Sequence, residues 1–166
     1  SGSKPQVAAM AAAIVHRGPD GMGVWQSDDG RAYLSHRRLA IIDLSPAGNQ
    51  PMTLGDGRWT ITYNGELYNY RELRAELLAA GRRFRSDTDT EVVVNAYAEW
   101  GASAVERFNG MFGLAIWDRD ERTLFGDRGL LLHERGERHR FPYAEALLAN
   151  GVPPVRRRGP GEERDH

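Results

Sequence analysis

Asn64 and Gly65 place a carboxamide beside an unhindered backbone N–H, the two kinds of donor that hold a developing oxyanion. They open the run Asn64-Gly65-Glu66-Leu67-Tyr68-Asn69. A β-prone stretch, residues 60–63, leads into it, and a helix-like segment, residues 71–80, follows. The pair is therefore expected where a strand hands over to a helix. Taken by itself, an Asn-Gly pair is more often a hairpin turn. Arg38 offers a guanidinium fork that suits a carboxylate; alone, it reads as a strand-surface arginine. Asp89 offers a carboxylate, and also reads as the N-cap of the helix after it. His16 and His36 are isolated and are assigned no catalysis. His133, His139 and His166 lack metal-site spacing. Asp118-Arg119-Asp120 resembles half a calcium loop, but no glutamate follows at the right distance, so a plain hairpin turn is expected. No metal site is predicted. The chain has no cysteine, which removes disulfides, thiolate metal sites and a cysteine nucleophile from it.

The elements that must position these groups follow from periodicity. Val7, Met10, Ala11 and Ile14 repeat at helical spacing, so residues 5–15 read as an amphipathic helix starting at Pro5. Residues 16–21 break it. Residues 23–25 and 32–36 read as strands around a turn at 27–30, and 39–44 as a buried β run. Residues 45–51 form a loop and 58–63 a strand. Asn69, with Glu72 three residues on, reads as the cap of the next helix, with Leu73 and Leu77 as its apolar stripe and Gly81 at its end. A further helix spans 90–100, with Val93, Ala96, Tyr97 and Trp100 on one face, and Gly101 ends it. A short helix over 102–108, a turn at Asn109-Gly110, a strand over 111–117 and a hairpin into 123–125 complete an α+β order.

The chain has 166 residues, 40% hydrophobic and 27% charged, with a net charge of -1. That suits one soluble domain and argues against a nucleic-acid or anionic-membrane partner. No apolar run approaches the ~20 residues of a membrane helix, and no signal peptide is visible, so a cytoplasmic protein is expected. Residues 1–4 read as a tag or disordered start, 5–126 as the domain, and 127–166, rich in Arg, Glu, Gly and Pro, as a divergent and partly disordered tail.

Six ordered segments add a resemblance. They are His16-Arg17-Gly18-Pro19-Asp20-Gly21, Ser35 to Asp43, Gly48-Asn49-Gln50-Pro51-Met52, Tyr63 to Asn69, Ser86-Asp87-Thr88-Asp89-Thr90-Glu91, and Phe108 to Asp118. Together they resemble the glutamine-hydrolysing domain of asparagine synthetases, a class II glutamine amidotransferase of the N-terminal-nucleophile type. The resemblance implies an αββα sandwich of antiparallel sheets, here expected to lack its first strand. It implies L-glutamine as substrate, with Arg38 on the α-carboxylate and Asp89 on the α-ammonium. Asn64 and the Gly65 N–H are implied as the oxyanion donors, and Arg17, Gly18, Gln50 and Glu66 as neighbours of the pocket. The family attacks with a leading cysteine, which this sequence does not supply. Ser1 runs straight into a helix and is a poor substitute. The expectation is a glutamine-binding domain without turnover of its own, truncated at both ends. ATP and Mg would serve only a synthetase domain, which the sequence lacks, and that domain or a homodimer mate is the expected protein partner. A non-catalytic structural domain is the alternative. A glutaminase joined to a sugar-phosphate synthase fits the Asn64 and Arg38 segments less well.

Overall fold

The computed structural model describes residues 3–39 and 48–130. Helix α1 (Lys4–Ala13) starts with Pro5 in its first turn and ends at a short 3-10 turn, Val15–Arg17. Strands β1 (Gly21–Gln26) and β2 (Tyr33–Arg38) then pair antiparallel, from Gly21 opposite Arg38 to Gln26 opposite Tyr33. Their turn is tied by Ser27, whose hydroxyl accepts from the Arg31 and Ala32 N–H groups and donates to Asp29. A second, four-stranded antiparallel sheet has the order β3 (Met52–Thr53), β4 (Trp59–Leu67), β5 (Gly110–Asp118), β6 (Thr123–Leu130). Helices α2 (Tyr70–Ala79) and α3 (Asp89–Trp100) lie between β4 and β5 in sequence, followed by a 3-10 segment, Gly101–Arg107.

Strand alternation sorts the core into two layers. On β4 and β5, Ile61, Tyr63, Leu67, Phe112, Leu114 and Ile116 face α2 and α3, and form one cluster with Leu73, Leu77 and Val92–Val94. The other face of β5 sends Ala115 and Trp117 against Ala32 and Leu34 of the small sheet. With α1 against β1 and β2, the order is helix, sheet, sheet, helices, the α+β sandwich of antiparallel sheets that was expected.

Several local expectations are corrected. β4 does not stop at residue 63; it stays paired with β5 as far as Leu67 opposite Gly110. Asn64-Gly65 is thus inside a strand, not at a strand-to-helix turn. Gly65 allows this: its φ is 151°, and a Cβ there would stand 2.2 Å from the Met111 carbonyl oxygen. Asn69 precedes α2 without capping it. Its amide instead donates to the Arg107 carbonyl and accepts from the Asn109 N–H, joining α2 to the start of β5. The stripe on α1 buries only Ala11; Met10 and Ile14 are exposed. Leu39, at the head of the expected buried run, is exposed, and residues 40–44 lie outside the described residues. β6 continues past 126 to Leu130, and residues 131–166 lie outside the described residues. Strand β3, only two residues long, had no periodic signal to reveal it.

Candidate functional site

The site begins at one edge of β4. Period two sends alternate N–H groups of a strand to opposite sides. The Arg58 carbonyl and Tyr68 N–H, at even positions, bond toward the β5 side. The odd positions face the other way: the Tyr63 N–H donates to Gln50 Oε1 at 2.6 Å and the Leu67 N–H to Asp89 Oδ2 at 3.1 Å. Gly65 lies midway between them, so its N–H leaves the sheet on this same edge. The strand delivers three parallel donors, the outer two held by Gln50 and Asp89. A middle donor in that setting is what an oxyanion requires.

Asn64 lies on the face of β4 that carries Thr62, whose hydroxyl donates to the Ser35 carbonyl of β2 at 3.2 Å. Its side chain is exposed. Directly across the ladder is Gly113, where a Cβ would meet no described atom within 4 Å. On this face the Thr62 hydroxyl also lies 3.4 Å from His36 Nδ1. Burial and the neighbouring Arg38 charge push the His36 imidazole down to about 4, so it is neutral at neutral pH. It can neither take nor give a proton there as a general base poised near 7 would.

Asp89 stands at the first position of α3. Thr88, not Asp89, caps that helix: its hydroxyl accepts the Glu91 N–H. This is a correction with a chemical consequence, because the Asp89 carboxylate is released to face β4. It is 7% exposed and accepts from both the Leu67 N–H and the Tyr63 hydroxyl, at 3.1 and 3.2 Å. Burial raises its carboxyl above the ordinary range, opposed by the peptide N–H groups and the hydroxyl. It makes no ion pair with a described residue. A buried carboxylate with hydrogen bonds but no counter-charge among the described residues can receive a cation.

Gly48 and Asn49 lie between Arg38 and this end of α3. Arg38 ends β2, and its Nη1 donates to Asn49 Oδ1 at 2.8 Å. A Cβ on Gly48 would fall 2.6 Å from Arg38 Nη2 and 3.2 Å from Thr88 Cγ2, so guanidinium and helix start flank the same glycine. Gly18 is similarly tight: its Cβ would be 2.5 Å from the Arg37 carbonyl carbon, which seats the Arg17–Gly18 turn on the end of β2. Gln50 clamps the loop from the other side, with Nε2 donating to Thr90 Oγ1 at 3.1 Å while Oε1 holds Tyr63.

The structure thus brings Arg38, Gln50, Gly65 and Asp89 to one edge, with Asn64 on the adjoining face of β4. Glu66 is exposed on the face of Asn64, and Arg17 is exposed on its turn. Sequence reasoning missed Tyr63, Gly48, Thr88 and Thr90. Only Thr88 had a local signal, as a threonine three residues before Glu91.

The chain matches the family described as glutamine amidotransferase domain over residues 1–135. It is 41% identical over 124 residues to "Asparagine synthetase [glutamine-hydrolyzing] 3" of Bacillus subtilis (strain 168), covering 74% of this chain and 20% of the relative. It is 43% identical over 115 residues to "Asparagine synthetase [glutamine-hydrolyzing] 1" of the same organism, covering 69% and 18%. The chain therefore spans about a fifth of the length of these curated relatives. Among solved structures, the glutamine phosphoribosylpyrophosphate amidotransferase of B. subtilis superposes with a TM-score of 0.58 at 17% identity, over 75% of this chain and 34% of that one, a likeness of fold.

Proposed function

We propose, starting from the fact that this chain belongs to the glutamine amidotransferase domain family, that it is the L-glutamine-binding domain of an asparagine synthetase. The observation that carries this is Asp89: a buried carboxylate with no counter-charge among the described residues, bonded to the Leu67 N–H of the β4 edge and separated from the Arg38 guanidinium by Gly48 and Thr88. Arg38 takes the α-carboxylate, Asp89 the α-ammonium, and Asn64 with the Gly65 N–H takes the amide oxygen. Arg17, Gly18, Gln50 and Glu66 shape the surroundings. In the whole enzyme, ammonia from glutamine would convert aspartate to asparagine at the expense of ATP with Mg in a synthetase domain. This chain has no cysteine, so no thiol of its own attacks the amide. The same absence favours a second reading, a non-catalytic structural or interaction domain.

Calorimetry of the folded chain with L-glutamine separates the two. The glutamine reading expects saturable heat, lost in Arg38→Ala, with no ammonia released above background. Folded protein that binds no glutamine would support the structural reading; ammonia release by the wild-type chain would contradict the assignment of no turnover.

A further inference from the structure

We propose that Tyr63 is a positioning residue for α-ammonium recognition, acting through Asp89; this rests on the glutamine-binding reading above. The Tyr63 ring belongs to the main core, 3% exposed and stacked on Phe112 with ring centroids 6.3 Å apart. Its hydroxyl reaches through that core to donate to Asp89 Oδ2 at 3.2 Å. The Leu67 N–H reaches the same oxygen at 3.1 Å. Two donors from one strand, four residues apart, thus converge on a single carboxylate oxygen. They hold the Asp89 carboxylate through Oδ2, beside the Thr90 and Asp89 peptide N–H groups that also bond to it.

The backbone of the same tyrosine is also engaged. Its N–H holds Gln50 Oε1, and Gln50 in turn holds Thr90, the residue after Asp89. Tyr63 therefore touches both supports of the carboxylate, one through its side chain and one through its main chain. Phenylalanine would keep the ring in the core and the Gln50 bond while removing only the hydroxyl. The Asp89 carboxylate would then lose its one side-chain donor in a buried place, where an imperfectly held charge is costly. The loss should be felt by a ligand that brings an ammonium and not by one that lacks it.

The test compares two ligands on the full chain: L-glutamine and its deamino analogue, 4-carbamoylbutanoate, which keeps the carboxylate and amide but has no ammonium. Dissociation constants from NMR titration are measured for the wild type, Tyr63→Phe, Asp89→Asn and the double variant. Tyr63→Phe should weaken glutamine about 5- to 10-fold, the size of one net hydrogen bond lost at a distance from the ligand, and leave the analogue within twofold. In the Asp89→Asn background, Tyr63→Phe should change glutamine binding little. Equal weakening of both ligands by Tyr63→Phe would mean general damage to the pocket and overturn the proposal. An unchanged affinity for glutamine would overturn it as well. If the wild type binds neither ligand, the glutamine-binding reading itself fails, a result distinct from the other two.

Discussion

His36 shows how a single residue can register the state of the whole site. Its imidazole lies between Thr62 and the Arg38 charge, half-buried, and titrates near 4 in place of its ordinary 6.5. The unfolded chain therefore binds more protons than the folded one between those values, and stability must fall as pH drops through that window. The full effect is on the order of 3 kcal/mol at low pH. Urea unfolding at pH 7 and pH 5 should show the folded state losing stability, and His36→Gln should flatten that slope. Asp89 acts in the opposite sense. Its carboxyl is raised by burial, so the stability it contributes is present below the unfolded value and is lost as pH rises through its folded one. Of the site, the residue types Arg38, Asn64, Gly65 and Asp89 were legible from the sequence because each carries chemistry in its own side chain or N–H. Gln50 was named only as a neighbour of the pocket, through the resemblance, and Tyr63 not at all, because the bond between them depends on which edge of β4 an N–H leaves from, and that is decided only by pairing with β5.

At the scale of elements, the start of α3 carries the most structure per residue. Glu91 is 4% exposed, and its carboxylate accepts from the Arg85 N–H, the Ser86 N–H and the Ser86 hydroxyl, at 2.8, 2.7 and 2.7 Å. Thr88 closes the same turn from within. The loop before α3 is thereby wound around one acid, and the positions of Thr88 and Asp89 depend on it. Glu91→Ala would leave the two Ser86 donors buried without this acceptor, at about 1–3 kcal/mol each, so a loss of about 3–5 kcal/mol is expected. Thr88→Ala removes the cap and its contact with the Ser86 hydroxyl and should cost about 1 kcal/mol. Chemical denaturation orders the two; a smaller loss in Glu91→Ala than in Thr88→Ala would contradict this account. The helix itself was legible from its spacing and from Gly101, which ends it at a φ of 61°. The cap was misplaced by one residue, since Ser, Thr and Asp all cap helices and the run Ser86 to Asp89 offers each of them. Asn69 misled for the same reason: an asparagine before a helix can also bond across to a neighbouring strand, as here to Asn109.

At the scale of the molecule, the apolar patterns of α1 and α2 look alike in sequence and have different fates. On α2, Leu73 and Leu77 fit against Val92–Val94 and the β4–β5 sheet, and Leu77 is fully buried. On α1, Met10 is 63% exposed and Ile14 46%, with Met22 of β1 also 51% exposed. Periodicity states that a helix has an apolar face; it does not state how much surface the fold offers to cover that face. α2 packs on the four-stranded sheet beside α3, whereas α1, among the described residues, packs mainly on the two-stranded one, whose other face is already occupied by Ala115 and Trp117. The centre of stability is therefore the layer between the large sheet and its two helices. Leu77→Ala removes buried methylenes and leaves a cavity there, at about 2–5 kcal/mol. Met10→Ala removes mostly solvated surface and should stay within about 0.5 kcal/mol. Thermal and urea unfolding of both variants measure the contrast directly. Equal losses would mean that α1 is covered in solution and that the two helices contribute alike to the fold.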